Sequence, residues 1–120
     1  MSVLAELLKT NGVAGADVLF AYPARGVHAK RMLELATAYP DIHFSVLCED
    51  TSDVAGISPV LGIFVEVNIY ADRTGITINE EDKILEVAKA AHAAEHLRGL
   101  HCYEGPLLEK VCSVPYHLLL

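Results

Sequence analysis

The stretch LGIFVEVNIYADRTGI, residues 61–76, joins an apolar run to a short polar loop that contains a single arginine. Residues 61–68 are apolar at nearly every position around Glu66, which is typical of a strand inside a sheet with buried faces. The loop behind it carries Arg73 and closes on Gly75. We therefore predict that a buried strand delivers this arginine to the edge of a sheet.

Similar apolar runs alternate with helical patterns along the rest of the chain. The predicted strands are 17–23, 42–49, 61–68 and 98–104, and the predicted helices are 2–11, 26–39, a short one within 50–57, and 79–97. Alternation at this spacing predicts an α/β fold, in which parallel strands are joined by right-handed crossovers. We expect one domain over residues 1–120, with a tail at 106–120 whose pattern predicts no definite structure.

Composition narrows the classes of partner. Sixteen acidic residues against nine basic ones give a net charge of −7, which disfavours nucleic acid and anionic membranes. Hydrophobic residues make up 52% of the chain, which is ample for a core, yet no apolar run is long enough to span a membrane. Cys48, Cys102 and Cys112 lack C-x-x-C spacing, so we expect reduced thiols in a cytoplasmic protein.

Every predicted strand ends in polar or aromatic residues. They are Tyr22 for the first strand, Glu49 and Asp50 for the second, Asn68 and Tyr70 for the third, and Tyr103 and Glu104 for the fourth. Ligands of parallel α/β proteins bind at the carboxyl ends of the strands, where the loops converge. The same residues would also suit strand ends that simply meet water, so this signal alone leaves the function open.

Four segments occur in an order and spacing shared with a known family. They are AELLKTNGVAGADVLFAYP (5–23), IHFSVLCEDTSDV (42–54), VEVNIYADRTGI (65–76) and RGLHCYEG (98–105). Together they resemble the alanine-racemase-like, fold-type III pyridoxal-phosphate enzymes, most closely the D-threonine aldolase and D-serine dehydratase branch. The resemblance implies a partial TIM-type (β/α)8 barrel, with about half of the barrel in this chain.

The resemblance also implies pyridoxal phosphate as the cofactor. It places Arg73 beside the cofactor ring, donating hydrogen bonds to the phenolic oxygen, and Tyr103 in the same pocket. No catalytic residue and no metal ligand of the family matches a position in this chain. The chain departs from the family pattern at Asn68 (usually Asp), Tyr70 (usually Gly) and Pro106 (usually His).

By the same resemblance, the strand with the Schiff-base lysine would precede residue 1, and the phosphate loops would follow residue 120. We therefore predict a truncated relative of a pyridoxal-phosphate-dependent amino-acid lyase or racemase, inactive on its own. A half barrel has open strand edges, so we expect a homo-oligomer or pairing with the remainder of a barrel, and a small amino acid as a possible ligand. The alternative is a non-catalytic binding or assembly module on the same scaffold.

A third hypothesis comes from His92-Ala-Ala-Glu95-His96, which matches the H-x-x-E-H zinc-peptidase signature. Histidines four residues apart on a helix can bind one zinc ion, with the glutamate as general base. The remaining ligand would have to be Glu104 or Glu109. Two exposed helical histidines would also explain the pattern.

Two further patterns favour ordinary structural roles. Cys48 and Cys102 each have a histidine nearby in sequence, but they read as buried structural thiols, because adjacent residues of a strand point to opposite faces. The basic segment YPARGVHAKR, residues 22–31, has a single loop glycine and reads as a solvated helix face.

Overall fold

The computed structural model describes residues 1–103, in which four helices alternate with five strands. The helices are α1 (Ser2–Thr10), α2 (Val27–Ala38), α3 (Thr51–Gly56) and α4 (Glu81–Ala93), and the strands are β1 (Asp17–Pro23), β2 (His43–Cys48), β3 (Gly62–Asn68), β4 (Ile76–Thr77) and β5 (Leu97–Cys102). Each predicted element is confirmed to within a few residues. The short strand β4 is an addition that the pattern did not predict, and the predicted tail lies outside the described residues.

All the strand pairs are parallel, which confirms the α/β class. β1 pairs with β2, and β2 pairs with β3. Val65 of β3 is in register with β2 on one side and with β5 on the other. Val67 is likewise in register with both β4 and β5, so β4 continues the sheet on the β2 side, beyond the end of β2.

The four long strands follow one another in the sheet in the order of the chain. Right-handed crossovers between strands in this order place α2, α3 and α4 on the same face of the sheet, and Ala5 of α1 is buried in the same core. The buried core forms between these two layers. It comprises Val18, Phe44, Val46, Cys48, Ile63 and Val65 from the strands, with Ala5, Met32, Leu35, Val54, Val87 and Ala91 from the helices.

The opposite face of the sheet, here called the inner face, carries the alternate residues of the strands. Phe64 is in register with Leu47 of β2 and with Gly99 of β5, and Glu66 is in register with His101. These five residues therefore share the inner face. None of the four helices described for residues 1–103 contributes to it.

A side-chain contact joins the two outermost of the four long strands. A register shift leaves Arg98 as an extra residue in β5, and its guanidinium donates to Asp17 of β1 at 3.0 Å. In a flat sheet β1 and β5 would be about 14 Å apart, because two strands lie between them. Extended arginine and aspartate side chains joined by a hydrogen bond reach about this far, so the ion pair spans the four long strands across the inner face. The side chain of Arg98 passes so close to Gly62 that a Cβ there would lie 2.7 Å from it.

Within residues 1–103, no helix combines the length and the apolar character that crossing a membrane requires.

Candidate functional site

Arg73 lies in the loop after β3 and reaches back over the carboxyl end of the sheet. Its Nη2 atom donates to Glu66 Oε1 at 3.1 Å, and at 3.5 Å to the carbonyl oxygen of Ala21 in β1. The guanidinium carbon is 4.1 Å from the ring centroid of Tyr103 and 4.8 Å from that of Tyr22. Both distances are within the range of a cation–π contact. The structure thus brings the two residues predicted for the cofactor pocket, Arg73 and Tyr103, into direct contact, together with Tyr22.

The partner of Arg73 is a buried carboxylate. Glu66 points from β3 onto the inner face, and its side chain is only 1% exposed. His101 lies beside it, with Nδ1 3.8 Å from Glu66 Oε1. A carboxylate buried this deeply is stable only with a charged or hydrogen-bonding partner, which makes the Glu66–Arg73 pair a structural requirement of the site.

Four buried side-chain atoms in residues 1–103 have no hydrogen-bond partner, and all belong to this region. They are Glu66 Oε2, Arg73 Nε, Thr74 Oγ1 and His101 Nδ1. Most buried polar atoms in proteins are paired with protein groups or ordered water. Their concentration in one place marks the surroundings of Arg73 as the part of residues 1–103 where buried hydrogen-bonding capacity is left unused.

The loop that holds Arg73 depends on the close approach of Gly75 to β3. A Cβ on Gly75 would lie 2.9 Å from the backbone nitrogen of Asn68 and 2.9 Å from the carbonyl oxygen of Glu66. Its φ of 104° is also a conformation that L-residues with a side chain rarely adopt. Glycine is therefore required here, and it fixes the end of the loop against the strand.

The two departures from the family pattern in this loop have local explanations. Asn68 Oδ1 accepts from the backbone N–H of Asp72 at 3.1 Å, and its Nδ2 donates to the carboxylate of Asp72 at 3.2 Å. Tyr70 is largely exposed and has a φ of 73°. It therefore keeps the left-handed backbone that suits glycine and leaves the Arg73 contacts uncrowded.

A second group of charges supports the loop from the side of α3. Glu49 Oε2 accepts from the backbone N–H of Gly75 at 2.7 Å, and Glu49 Oε1 accepts from Arg25 at 3.0 Å. Arg25 also makes two hydrogen bonds to Asp53, at 2.6 and 2.8 Å, and these raise the pKa of its guanidinium. Arg25, which belongs to the basic segment 22–31, is thus committed to carboxylates of this chain.

The lysines of residues 1–103 all lie on helices. Lys9 is in α1, Lys30 in α2, and Lys83 and Lys89 in α4. The inner face and the strand ends of this part of the chain therefore carry no lysine. Lys110 lies outside the described residues.

The helical geometry that the zinc hypothesis requires is absent. Helix α4 ends at Ala93, and Glu95 has a φ of 61°, so the signature bends away from the helix axis before its last residue. His96 is buried, with Nδ1 2.9 Å from the carbonyl oxygen of Leu61, whereas His92 is exposed. No group of three His, Cys, Asp or Glu side chains in residues 1–103 is placed to hold a metal ion. Glu104 and Glu109 lie outside the described residues.

The two strand cysteines differ in their surroundings. Cys48 is fully buried in the core, and burial raises the pKa of its thiol to about 12, so it is a structural thiol as predicted. Cys102 is exposed, so the prediction that it is buried is wrong. It lies at the end of β5, the strand at the edge of the sheet in the described residues.

Glu66 and His101 are the site residues that sequence reasoning did not assign to the site. Glu66 had a detectable signal, because a carboxylate in the middle of an apolar strand of a parallel sheet must have a buried partner. His101 has no such signal. Its place beside Glu66 follows from the register between β5 and β3, which the sequence pattern does not reveal.

Comparison with known proteins adds partial relatives. No family model matches the chain. A 3-hydroxy-D-aspartate aldolase of Paracoccus denitrificans (strain Pd 1222) is 36% identical over 72 residues, which cover 52% of this chain and 18% of the aldolase. A second 3-hydroxy-D-aspartate aldolase of Paracoccus denitrificans is 37% identical over 70 residues, which cover 51% of this chain and 18% of that aldolase. The match thus spans about a fifth of the length of these curated relatives. About half of this chain is similar in sequence to part of an aldolase.

Proposed function

We propose that this chain is a partial barrel related to pyridoxal-phosphate-dependent aldolases, and that Arg73 and Tyr103 form the ring-facing wall of a cofactor pocket. The observation that carries the proposal is the group of four unpartnered buried atoms around the Arg73–Tyr103 contact. The partial similarity to two aldolases supports the same assignment. We do not assign the aldolase activity of those relatives to this chain.

The residues present suit the ring of such a cofactor. Arg73 uses Nη2 for Glu66, which leaves Nε to donate to an oxygen of the ligand. A guanidinium is a planar and permanent donor, and a tyrosine supplies a flat wall for an aromatic ring. When bound, pyridoxal phosphate supplies an electron sink, and the protein orients it and tunes its electronics. In this chain, Arg73 would orient the ring, and Glu66 would hold Arg73 in place.

The described lysines do not support covalent attachment of the cofactor, because all four lie on helices. We therefore propose that the chain binds the ring without a covalent bond and is inactive by itself. Its parallel strands in chain order and its helices packed in one layer support the partial-barrel architecture.

The test is binding of pyridoxine 5′-phosphate, which lacks the aldehyde and cannot react with lysine. Titration of the 120-residue chain by calorimetry should give saturable binding, and Arg73→Gln should weaken it at least tenfold. The matched control is Arg31→Gln, which removes an exposed arginine paired with Glu34 on α2 and should bind like the wild type. Equal affinity of Arg73→Gln and wild type would reject the proposed pocket.

If the folded wild-type chain does not bind pyridoxine 5′-phosphate, the alternative is favoured, which is a binding or assembly module without a cofactor. Circular dichroism of each variant shows whether the chain is folded.

A further inference from the structure

Both edges of the sheet are open in the described part of the chain. Within residues 1–103, β1 pairs only with β2, and β5 pairs only with β3. The edge at β1 and the edge along residues 97–101 of β5 therefore present backbone N–H and C=O groups that another parallel strand could use.

The edge at β1 has an apolar flank formed by α1. Glu6 of α1 accepts a hydrogen bond from Tyr39 at 2.7 Å, which places that side of the helix against the end of α2. Leu4 and Leu7 lie on other sides of the helix and are 43% and 55% exposed. We call Leu4 and Leu7 the α1 flank.

The edge at β5 has an apolar flank of its own. Leu85 of α4 is 52% exposed, and Leu100 of β5 is 58% exposed. On α4, Lys83 lines a cleft with Asp50 on the side of α3, and helical spacing puts Leu85 on the opposite side. We call Leu85 and Leu100 the β5 flank.

The two flanks could pack against each other with their strands parallel and their helices in the same layer. The long strands β2, β3 and β5 each follow a helix whose buried residues belong to the core opposite the inner face, and α4 packs against α3. A strand added beside β5 would need the same arrangement: a parallel strand with a preceding helix that covers Leu85 and Leu100. The pair α1–β1 has this arrangement, and it presents exposed leucines where that neighbour would be.

We propose that two copies of this chain join head to tail, with β1 and α1 of each copy against β5 and α4 of the other. The inference rests on the partial-barrel architecture proposed above. Because each copy offers both flanks, two identical contacts form and the assembly closes with twofold symmetry. The four long strands that residues 1–103 of each copy contain make eight in the two copies, the number at which side chains can fill the interior of a barrel.

This closure also affects the Arg73 site. The inner face, which no helix of residues 1–103 covers, becomes the interior of the ring. The Arg73–Glu66 pairs of both copies then lie at the same end of the ring, because all its strands are parallel. The pocket gains walls that a single copy does not supply.

The test measures molar mass by light scattering during size-exclusion chromatography. The wild type should have twice the chain mass of 13.0 kDa. Leu4→Glu and Leu85→Lys should each halve that mass, since each variant alone has a charged residue in both contacts. The control Val60→Glu changes a residue that is exposed but belongs to neither flank, and it should stay dimeric.

Mixing the two variants is the decisive step. In a head-to-tail dimer of one copy of each, Leu4→Glu faces Leu85→Lys in one contact, and the other contact is unchanged, so the mixture should return to the dimer mass. A monomeric wild type would overturn the proposal, as would a ladder of ever larger species, because closure would then fail. Dimeric Leu85→Lys beside monomeric Leu4→Glu would indicate an α1–α1 contact and would also overturn it.

The replaced leucines are exposed, so the variants should fold, and circular dichroism melting checks this. Failure of this proposal is distinguishable from failure of the cofactor proposal, because mass and pyridoxine 5′-phosphate affinity are separate measurements. A dimer without affinity for the compound would reject only the cofactor pocket.

Discussion

The substitution Glu66→Gln probes the buried ion pair at the centre of the site. It keeps the volume of the side chain and one acceptor oxygen, but it removes the negative charge opposite Arg73. Hydrogen bonds to charged groups contribute about 1.5–3 kcal/mol, and breaking a fully buried ion pair costs about 3–5 kcal/mol. Glu66 is 1% exposed but Arg73 is 24% exposed, so water can partly solvate the remaining guanidinium. We therefore expect a loss of about 2 kcal/mol in the free energy of unfolding.

Urea denaturation followed by circular dichroism measures this loss. Glu34→Gln is the matched control, because Glu34 pairs with Arg31 in an exposed contact at the same distance of 3.1 Å. Exposed pairs contribute little, so the control should lose less than about 0.5 kcal/mol. A double-mutant cycle of Glu66→Gln with Arg73→Gln should give a coupling energy of at least about 1 kcal/mol. A Glu66→Gln variant as stable as the control, or a coupling of zero, would refute this account of the pair.

Three further predictions concern the loop and the core. Gly75→Ala should destabilise the chain by about 2 kcal/mol more than Gly12→Ala. Both glycines have a positive φ, but of the two only at Gly75 would an added Cβ lie within 3 Å of backbone atoms. Urea denaturation measures both losses, and equal losses would contradict the close approach. Tyr70→Gly should be about 1 kcal/mol more stable than Tyr70→Ala, since alanine keeps the left-handed strain at this exposed position, and thermal melts that rank them in reverse would count against strain. Burial raises the pKa of the Cys48 thiol from 9.0 to about 12, so the unfolded chain loses this proton first and stability falls as the pH rises above 9. Between pH 9 and 10 the wild type should lose about 1 kcal/mol more than Cys48→Ala in urea denaturation, and parallel pH profiles would disprove it.

The sequence predicted the elements well because the signals for them are local. A continuous apolar run such as 61–68 or a helical pattern such as 26–39 depends only on neighbouring residues. The fold class followed from the order of these elements and from the handedness of crossovers. Strand β4 was not predicted, because its two residues are too few to show a periodicity. They pair with β3 because Gly75 brings the chain back to that strand.

The sequence predicted only part of the candidate site, because only part of it depends on local signals. Arg73 and Tyr103 could be named from their segments, but the distance of 4.1 Å between the guanidinium and the ring depends on residues thirty positions apart. The zinc hypothesis shows the opposite case. Its local spacing was correct, yet the helix ended at Ala93, and the main-chain oxygen of Leu61 took the ring nitrogen of His96.

The sequence by itself therefore determined which residues form strands and helices, and which polar residues follow the strand ends. Only the tertiary structure decided that Glu66 holds Arg73, that His101 lies beside them and that Arg98 reaches Asp17 across the inner face. The physical reason is that these contacts depend on the register of the strands and on their order in the sheet. Both are set by packing between distant segments, and no local pattern of residues encodes them.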